Sequence, residues 1–389
     1  MTLVKLVSLG ELGVSVLDCE HRTPAAVAAG HPYIAIPDIV GGRVNLESAR
    51  RISDDDLSSW TRKTLPREGD VIVTRRGRVG DTAPVPPGVA CAIGQNLVLL
   101  RSSGAAIRQD YLRWATRGPM WWAEVERLMN VGAVFSSLNV SDVARLRIAP
   151  HPLKTQRAIA EVLGALDDKI TANDRALSVG DSLVRADFAH LSGEPITLQD
   201  LVTSVREQVD PTSRPAATPY VGLEHVPRRR MWLQEFGTAK MVASAKSSFQ
   251  EGDVLFGKLR PYFHKVVRAP SSGIASTDIL VLRAKRPELA GLALAAASSD
   301  GAVAAATGAA DGTRMPRANW SVLKEVLVPW PGETEAVRFS RRVDGVARLA
   351  AGLAAETRAL GSTRDELLPL LMSGRLHVKD AEKVVAEVV

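Results

Sequence analysis

The chain has 389 residues, of which 46% are hydrophobic and 24% charged, with a formal net charge of +6 and a pI near 9.4. Its length exceeds what one hydrophobic core usually organises, so at least two domains of a globular, soluble protein are expected. Two cysteines, Cys19 and Cys91, with no CxxC, and seven scattered histidines exclude a disulfide framework and a zinc site, while the positive balance points mildly to a polyanionic partner.

At the N-terminus an apolar run is broken by Lys5 and Glu11 and lacks a small-residue cleavage pattern, which makes a poor signal peptide and fits a cytoplasmic setting. Residues 1–150 read as a first globular domain. Short strands are expected in the run Pro32-Tyr33-Ile34-Ala35-Ile36-Pro37-Asp38-Ile39, at Val71-Ile72 after the turn Glu68-Gly69-Asp70, and in Gln95-Asn96-Leu97-Val98-Leu99-Leu100-Arg101. Asp54-Asp55-Asp56 reads as a helix-capping turn, residues 109–130 as a helical part, and Asn139 opens a segment ending in Pro150-His151-Pro152. Residues 151–190 follow as one long helix. Ile159, Leu163, Leu166, Ile170, Asn173, Leu177, Gly180 and Val184 recur at alternating spacings of four and three, a narrow seam suited to another helix, with polar Asn173 fixing its register. Roughly 37 residues at about 1.5 Å each make a rod of about 55 Å.

Residues 191–330 repeat the first domain at an offset of about 180 residues. Pro219-Tyr220-Val221-Gly222-Leu223-Glu224-His225-Val226, Glu251-Gly252-Asp253-Val254-Leu255, Thr277-Asp278-Ile279-Leu280-Val281-Leu282-Arg283, a helical part at 287–307 and Asn319 with Pro329-Trp330-Pro331 return in the same order. The Ala-rich residues 289–310 are interrupted by Ser298, Ser299 and Asp300, too polar for a membrane span, and read as helix and loop. A second heptad helix is expected in residues 331–378, with seam residues Phe339, Val343, Val346, Ala350, Leu353, Thr357, Leu360, Arg364, Leu367 and Leu371. A strand-like piece, Arg375-Leu376-His377-Val378, then closes the chain, with residues 379–389 as a fraying tail. The expected fold class is therefore α+β: two duplicated mixed α/β domains separated by a long two-helix coiled coil.

Gly252-Asp253-Val254-Leu255-Phe256-Gly257-Lys258-Leu259 imitates a phosphate loop, but its eighth position lacks the hydroxyl that would hold magnesium and its interior reads as a strand. The basic runs carry more weight. Arg75, Arg76 and Arg78 surround Gly77 just past a strand, where guanidinium forks can reach phosphates and guanine edges. Lys258, Arg260, Tyr262, His264, Lys265 and Arg268 take the corresponding place in the second half, with no carboxylate between Val254 and Thr277. Arg228, Arg229 and Arg230 beside Trp232, and Arg314 and Arg317, extend that patch. Paired basic runs at duplicated positions favour nucleic-acid contact over two solvated faces. The sequence has no GxSxG, no HExxH and no Gly-rich nucleotide loop, so no catalytic or metal-binding residue is assigned.

The order of motifs resembles the specificity subunit of type I restriction-modification enzymes over essentially the whole chain. The resemblance is carried by Pro150-x-Pro152-Leu153-x-x-Gln156-x-x-Ile159, Leu166-Asp167-x-x-Ile170-x-x-Asn173, Leu367-Leu368-x-x-Leu371-Met372-Ser373-Gly374 and Lys258-x-Arg260-Pro261-Tyr262. Gly332-Glu333-Thr334-Glu335 departs from it where Leu-x-x-Gln is usual. The resemblance implies a non-catalytic reader of double-stranded DNA, with two target-recognition domains on the halves of a split site, held apart by the two helices as an antiparallel coiled coil. No cofactor is then expected on this chain. Two methyltransferase subunits would carry S-adenosylmethionine, restriction and translocase subunits would carry ATP and magnesium, and no membrane is involved. A stand-alone nuclease or modification enzyme, or a coiled-coil scaffold with basic faces, are the rival readings. On the favoured one the helices act as a ruler, lengthened with the seam intact by adding one heptad after Ile170 and one after Ala350.

Overall fold

The computed structural model describes residues 5–132, 136–308 and 316–387. The chain forms two compact units: unit 1 comprises residues 1–167 and 361–389, and unit 2 residues 168–360. Each contains a mixed α/β body and a stretch of both long helices, so the fold is α+β and duplicated.

The repeat is visible strand by strand. In unit 1 an antiparallel sheet runs in the order Val14–Asp18, Leu97–Ser102, Val71–Thr74, Thr82–Pro84; in unit 2 the order is Val202–Val205, Ile279–Ala284, Val254–Gly257, Val266–Arg268. Val71–Thr74 and Val254–Gly257 are buried on both faces, which explains their unbroken apolar runs. Each is entered through a turn in which glycine is required, with Gly69 at φ +78 and Gly252 at φ +86. The following aspartate closes the turn and braces the sheet. Asp70 accepts from the Arg67 amide (2.8 Å) and from Nε and Nη2 of Arg101 (2.9 and 2.6 Å). Asp253 does the same with the Gln250 amide (2.8 Å) and Arg283 (2.8 and 2.7 Å). The strand Val254–Gly257 spends its amides on two neighbouring strands, so the phosphate-loop-like segment offers no cradle.

A second sheet in each unit holds one parallel pair, His31–Ile34 beside Ala92–Ile93 and Pro219–Val221 beside Gly273–Ala275. These strands stop earlier than their alternating patterns suggest. Pro37 lacks an amide for the ladder and leads a 3-10 turn, Ile36–Asp38, while Gly222 donates to His225 Nδ1 (2.9 Å) in a turn of its own. Ser53 caps the helix Asp54–Thr61 by accepting from the Asp56 amide, and the three aspartates fill its first turn, where they favour the helix dipole.

The two long helices span Leu153–Ala189 and Glu333–Met372. In unit 1, Ile159, Leu163 and Leu166 are buried; in unit 2 so are Ile170, Asn173, Leu177, Val184, Phe339, Val343, Ala350 and Leu360, with Val346 and Leu353 partly buried. Within unit 2 the helices pass each other antiparallel. Asn173 Nδ2 donates to Glu356 Oε2 (2.7 Å) and Thr357 Oγ1 (3.3 Å), Gly180 lies against Val346, and Arg342 Nε meets Asp187 Oδ2 (3.3 Å). In unit 1, buried Asp167 collects Arg43, Arg113 and Arg364; burial raises its pKa, but the three guanidiniums win and hold it below the usual carboxylate range.

In each unit a further buried polar side chain on a long helix holds the body to it. Gln156 accepts from the Arg108 amide (2.8 Å) and donates to the Ala106 (2.9 Å) and His151 carbonyls, so it is spent inside unit 1 and not offered to a partner. Unit 2 uses Ser340, whose hydroxyl accepts from the Leu292 amide (3.0 Å) where Gly291 lets the helix Ala290–Ala297 approach. Glu335, at the departure from the family pattern, pairs instead with Arg338 and Arg342 along its own helix.

The end of the chain corrects the sequence reading. Gly374 at φ +69 stops the second long helix, and Val378–Ala386 is an amphipathic helix rather than a strand-like piece and a frayed tail. Ala381 and Val385 are its buried stripe, a helical spacing of four that the short window 375–378 could not show. The Ala-rich stretch forms two helices, Ala290–Ala297 and Asp300–Gly308, bent by 59° and packed in the core of unit 2. No single helix among the described residues is long and apolar enough to cross a membrane.

Candidate nucleic-acid interface

The two basic runs occupy the same place in the duplicated fold. In unit 1 the strand Val71–Thr74 leads into Arg75, whose amide donates to the Asn96 carbonyl (2.9 Å) and whose carbonyl accepts from the Leu138 amide (2.9 Å). In unit 2 the strand Val254–Gly257 leads into Lys258, whose amide donates to the Asp278 carbonyl and whose carbonyl accepts from the Ala318 amide, both at 2.8 Å.

Their side chains are sorted differently from the sequence pattern. Arg75 turns inward: Nη1 donates to the Leu138 carbonyl (3.2 Å) and Nε is buried without a partner among the described residues. Arg78 is braced by the Ile36 and Ile39 carbonyls and by Asp81 (3.3 Å). Arg76 is exposed and makes no side-chain hydrogen bond or ion pair with a described residue. Of the three, it has the free cation.

Unit 2 gathers a wider surface. The Arg260 amide donates to the Pro316 carbonyl (2.8 Å), which brings Arg317 beside Lys258 and Arg260. Arg317 meets Asp278 at 3.3 Å, and Lys258 Nζ donates to the Thr277 carbonyl (2.6 Å). Burial lowers the Lys258 pKa, partly offset by Asp278. Lys265 is also lowered by burial and donates to the Leu223 carbonyl. Arg260 is exposed, and Arg314 lies outside the described residues. The triplet Arg228-Arg229-Arg230 points three ways. Arg228 stacks 3.9 Å over the Phe263 ring, Arg229 pairs with Asp300 (3.0 Å), and Arg230 reaches 3.7 Å from buried Asp181.

His264 and Arg268 leave this surface. His264 is buried and donates from Nε2 to the Ser298 carbonyl (2.8 Å), with burial lowering its pKa; Arg268 pairs with Asp344 on the second long helix. Phe263 is the residue that sequence reasoning missed. It lies edge-on to Tyr262, with ring centroids 4.8 Å apart, and is the platform for Arg228; two adjacent aromatics after a proline in a carboxylate-free run were the available signal.

Asp18, Cys19 and His21 have potential metal-ligand atoms within 4.8 Å of one another. The Cys19 thiol, however, is pushed up to about 11 by burial and is spent on the Gly94 and Leu97 carbonyls, while Asp18 and His21 pair with each other (2.9 Å). All three side chains are thus occupied by protein partners.

No family model matches the chain. No curated protein matches it either. Among solved structures the chain is similar to the type I restriction-modification S subunit from M. genitalium, at 16% identity and TM-score 0.57, covering 95% of this chain and 96% of that one. The HsdS subunit from Thermoanaerobacter tengcongensis aligns at 16% identity over 96% and 97% of the two chains, with a TM-score of only 0.36. The first likeness establishes the shared fold.

Proposed function

We propose that this chain is the non-catalytic DNA-specificity subunit of a type I restriction-modification complex, reading a bipartite double-stranded site with one half taken by each unit. The observation that carries this reading is the repeat of one sheet, one Asp–Arg brace and one basic loop after the same strand, in a fold shared with the S subunit from M. genitalium. A duplicated body with a cationic loop at matching positions suits a split site, because each loop can hold phosphates while neighbouring side chains read base edges. In this reading two methyltransferase subunits supply S-adenosylmethionine chemistry, and restriction and translocase subunits supply ATP- and magnesium-dependent cleavage. This chain's residues then orient DNA and leave the reaction to those partners.

The test is selection from random duplexes by the full chain co-purified with methyltransferase subunits. Two fixed blocks separated by a gap of constant length and free sequence are expected. Enrichment of a single block, or none above non-specific binding, would overturn the proposal.

A further inference from the structure

We infer that Tyr262 is a wedge that inserts its ring at one base step of the half-site held by unit 2, a step with no counterpart in unit 1. The inference rests on the DNA-reading function proposed above and goes beyond it to one residue and one mode of contact.

Among the described residues, three that are not glycine have positive φ: Arg229 (+53), Arg260 (+52) and His264 (+52). All three meet here. Arg260 and His264 bracket the short turn Pro261–Phe263, and the Arg229 amide donates to the His264 carbonyl (2.8 Å). The left-handed conformation is unfavourable for a side chain with a Cβ, and such residues persist where surroundings over-determine them, often at sites of function.

Here the surroundings do so. His264 is anchored on the Ser298 carbonyl, Arg185 donates to the same carbonyl (2.9 Å), and Arg229 is tied to Asp300. Phe263, stacked under Arg228, backs the neighbouring ring. On this fixed base Tyr262 is 51% exposed, a large ring held outward. Arg228 is stacked on the adjacent Phe263 ring, exposed Arg260 opens the same turn, and Arg317 is bridged to Leu259 just before it; an inserted ring needs such cations nearby to hold the phosphates on either side. Between Thr74 and Thr82 the matching loop of unit 1 has no aromatic residue, and its left-handed positions are taken by glycines, Gly77 at φ +67 and Gly80 at φ +90. The two half-sites are therefore handled differently, one deformed by a ring and one not.

The experiment uses the assembly and site obtained from the selection, with 2-aminopurine placed in turn at each position of the site. Wild type should brighten the probe at one step of one half-site. Tyr262→Ala should abolish that signal and weaken binding about 10- to 100-fold, while Tyr262→Phe retains both. A matching circular dichroism spectrum and melting temperature would exclude misfolding of the alanine variant. If wild type binds its site and every signal survives Tyr262→Ala with unchanged affinity, the wedge is overturned and the DNA reading stands. If wild type prefers no duplex at all, both fall.

Discussion

Asp181 is buried on the first long helix, accepts from the Met231 amide (2.8 Å), and leaves Oδ2 without a hydrogen bond. Burial raises its pKa to about 6, only partly offset by that amide, Arg230 and Arg185. A carboxylate raised on folding stabilises the fold in its neutral form. Its contribution is complete below the unfolded value near 4 and is lost as pH rises through about 6, by roughly 3 kcal/mol. Asp181→Asn keeps the amide bond and removes the titration, so its urea midpoint should exceed wild type at pH 7.5 and match it near pH 4. His264, lowered on folding, works in the opposite direction over this range, and comparing the two proteins cancels it. Equal pH profiles would rule Asp181 out as the titrating group. The same sorting by burial separates the arginines. Arg76→Ala should reduce the salt dependence of DNA binding by about one unit of slope at unchanged melting temperature, whereas Arg75→Ala should lower the melting temperature. The reverse pattern would mean that the loop presents Arg75 to DNA. Which guanidinium points out was not legible in Thr74-Arg75-Arg76-Gly77-Arg78, because the Leu138 carbonyl that claims Arg75 lies 63 residues away.

The long helices were legible because one heptad pattern runs through each, and their exceptions now have causes. Asn173 holds the register through Glu356 and Thr357, and Arg364 fills a seam position because Asp167 is buried opposite it. Gly180 is small because a Cβ there would come 3.0 Å from Val346 Cγ1 and 3.4 Å from the Trp232 indole nitrogen. Gly352 has nothing within 4 Å. The two glycines should therefore answer differently to alanine. Gly352→Ala is expected to gain about 1 kcal/mol from helix propensity, and Gly180→Ala to gain nothing or lose stability. Denaturation midpoints that rise equally in both variants would show that the helices are not tightly packed at Gly180. The short strands and the last helix were less legible. A run of three or four residues is ended by a proline or a turn that periodicity does not count, and Val378–Ala386 is too short for its apolar face to stand out until Ala381 and Val385 are seen to be covered.

The duplication was legible across the whole molecule, since turn motifs recur in the same order at similar offsets even where side chains diverge, and the Asp70–Arg101 and Asp253–Arg283 braces explain why Glu-Gly-Asp and a strand-ending arginine recur together. Both long helices pass unbroken from the residues of one unit into those of the other, the divisions falling at 167–168 and 360–361. If they set the gap between half-sites, lengthening them must change it. The insertion points follow from the contacts. Asp167 meets Arg364 and Asn173 meets Thr357, so the level of Ile170 on the first helix corresponds to that of Leu360 on the second. A heptad after Ile170 with one after Ala350, as the seam alone suggested, would shift Asn173 away from Glu356 and Thr357. One after Ile170 and one after Ala359 keeps every pair on both sides of the insertion. That change adds about 10 Å of helix, or roughly three base pairs at 3.4 Å each. Duplex selection with the lengthened protein should therefore return the same two blocks with a gap wider by about three pairs, while the original site binds weakly because the half-sites are also out of angular phase. If the lengthened protein folds and still selects the original gap, the helices do not measure the DNA, and the spacing belongs to the recognition bodies or to the partner subunits.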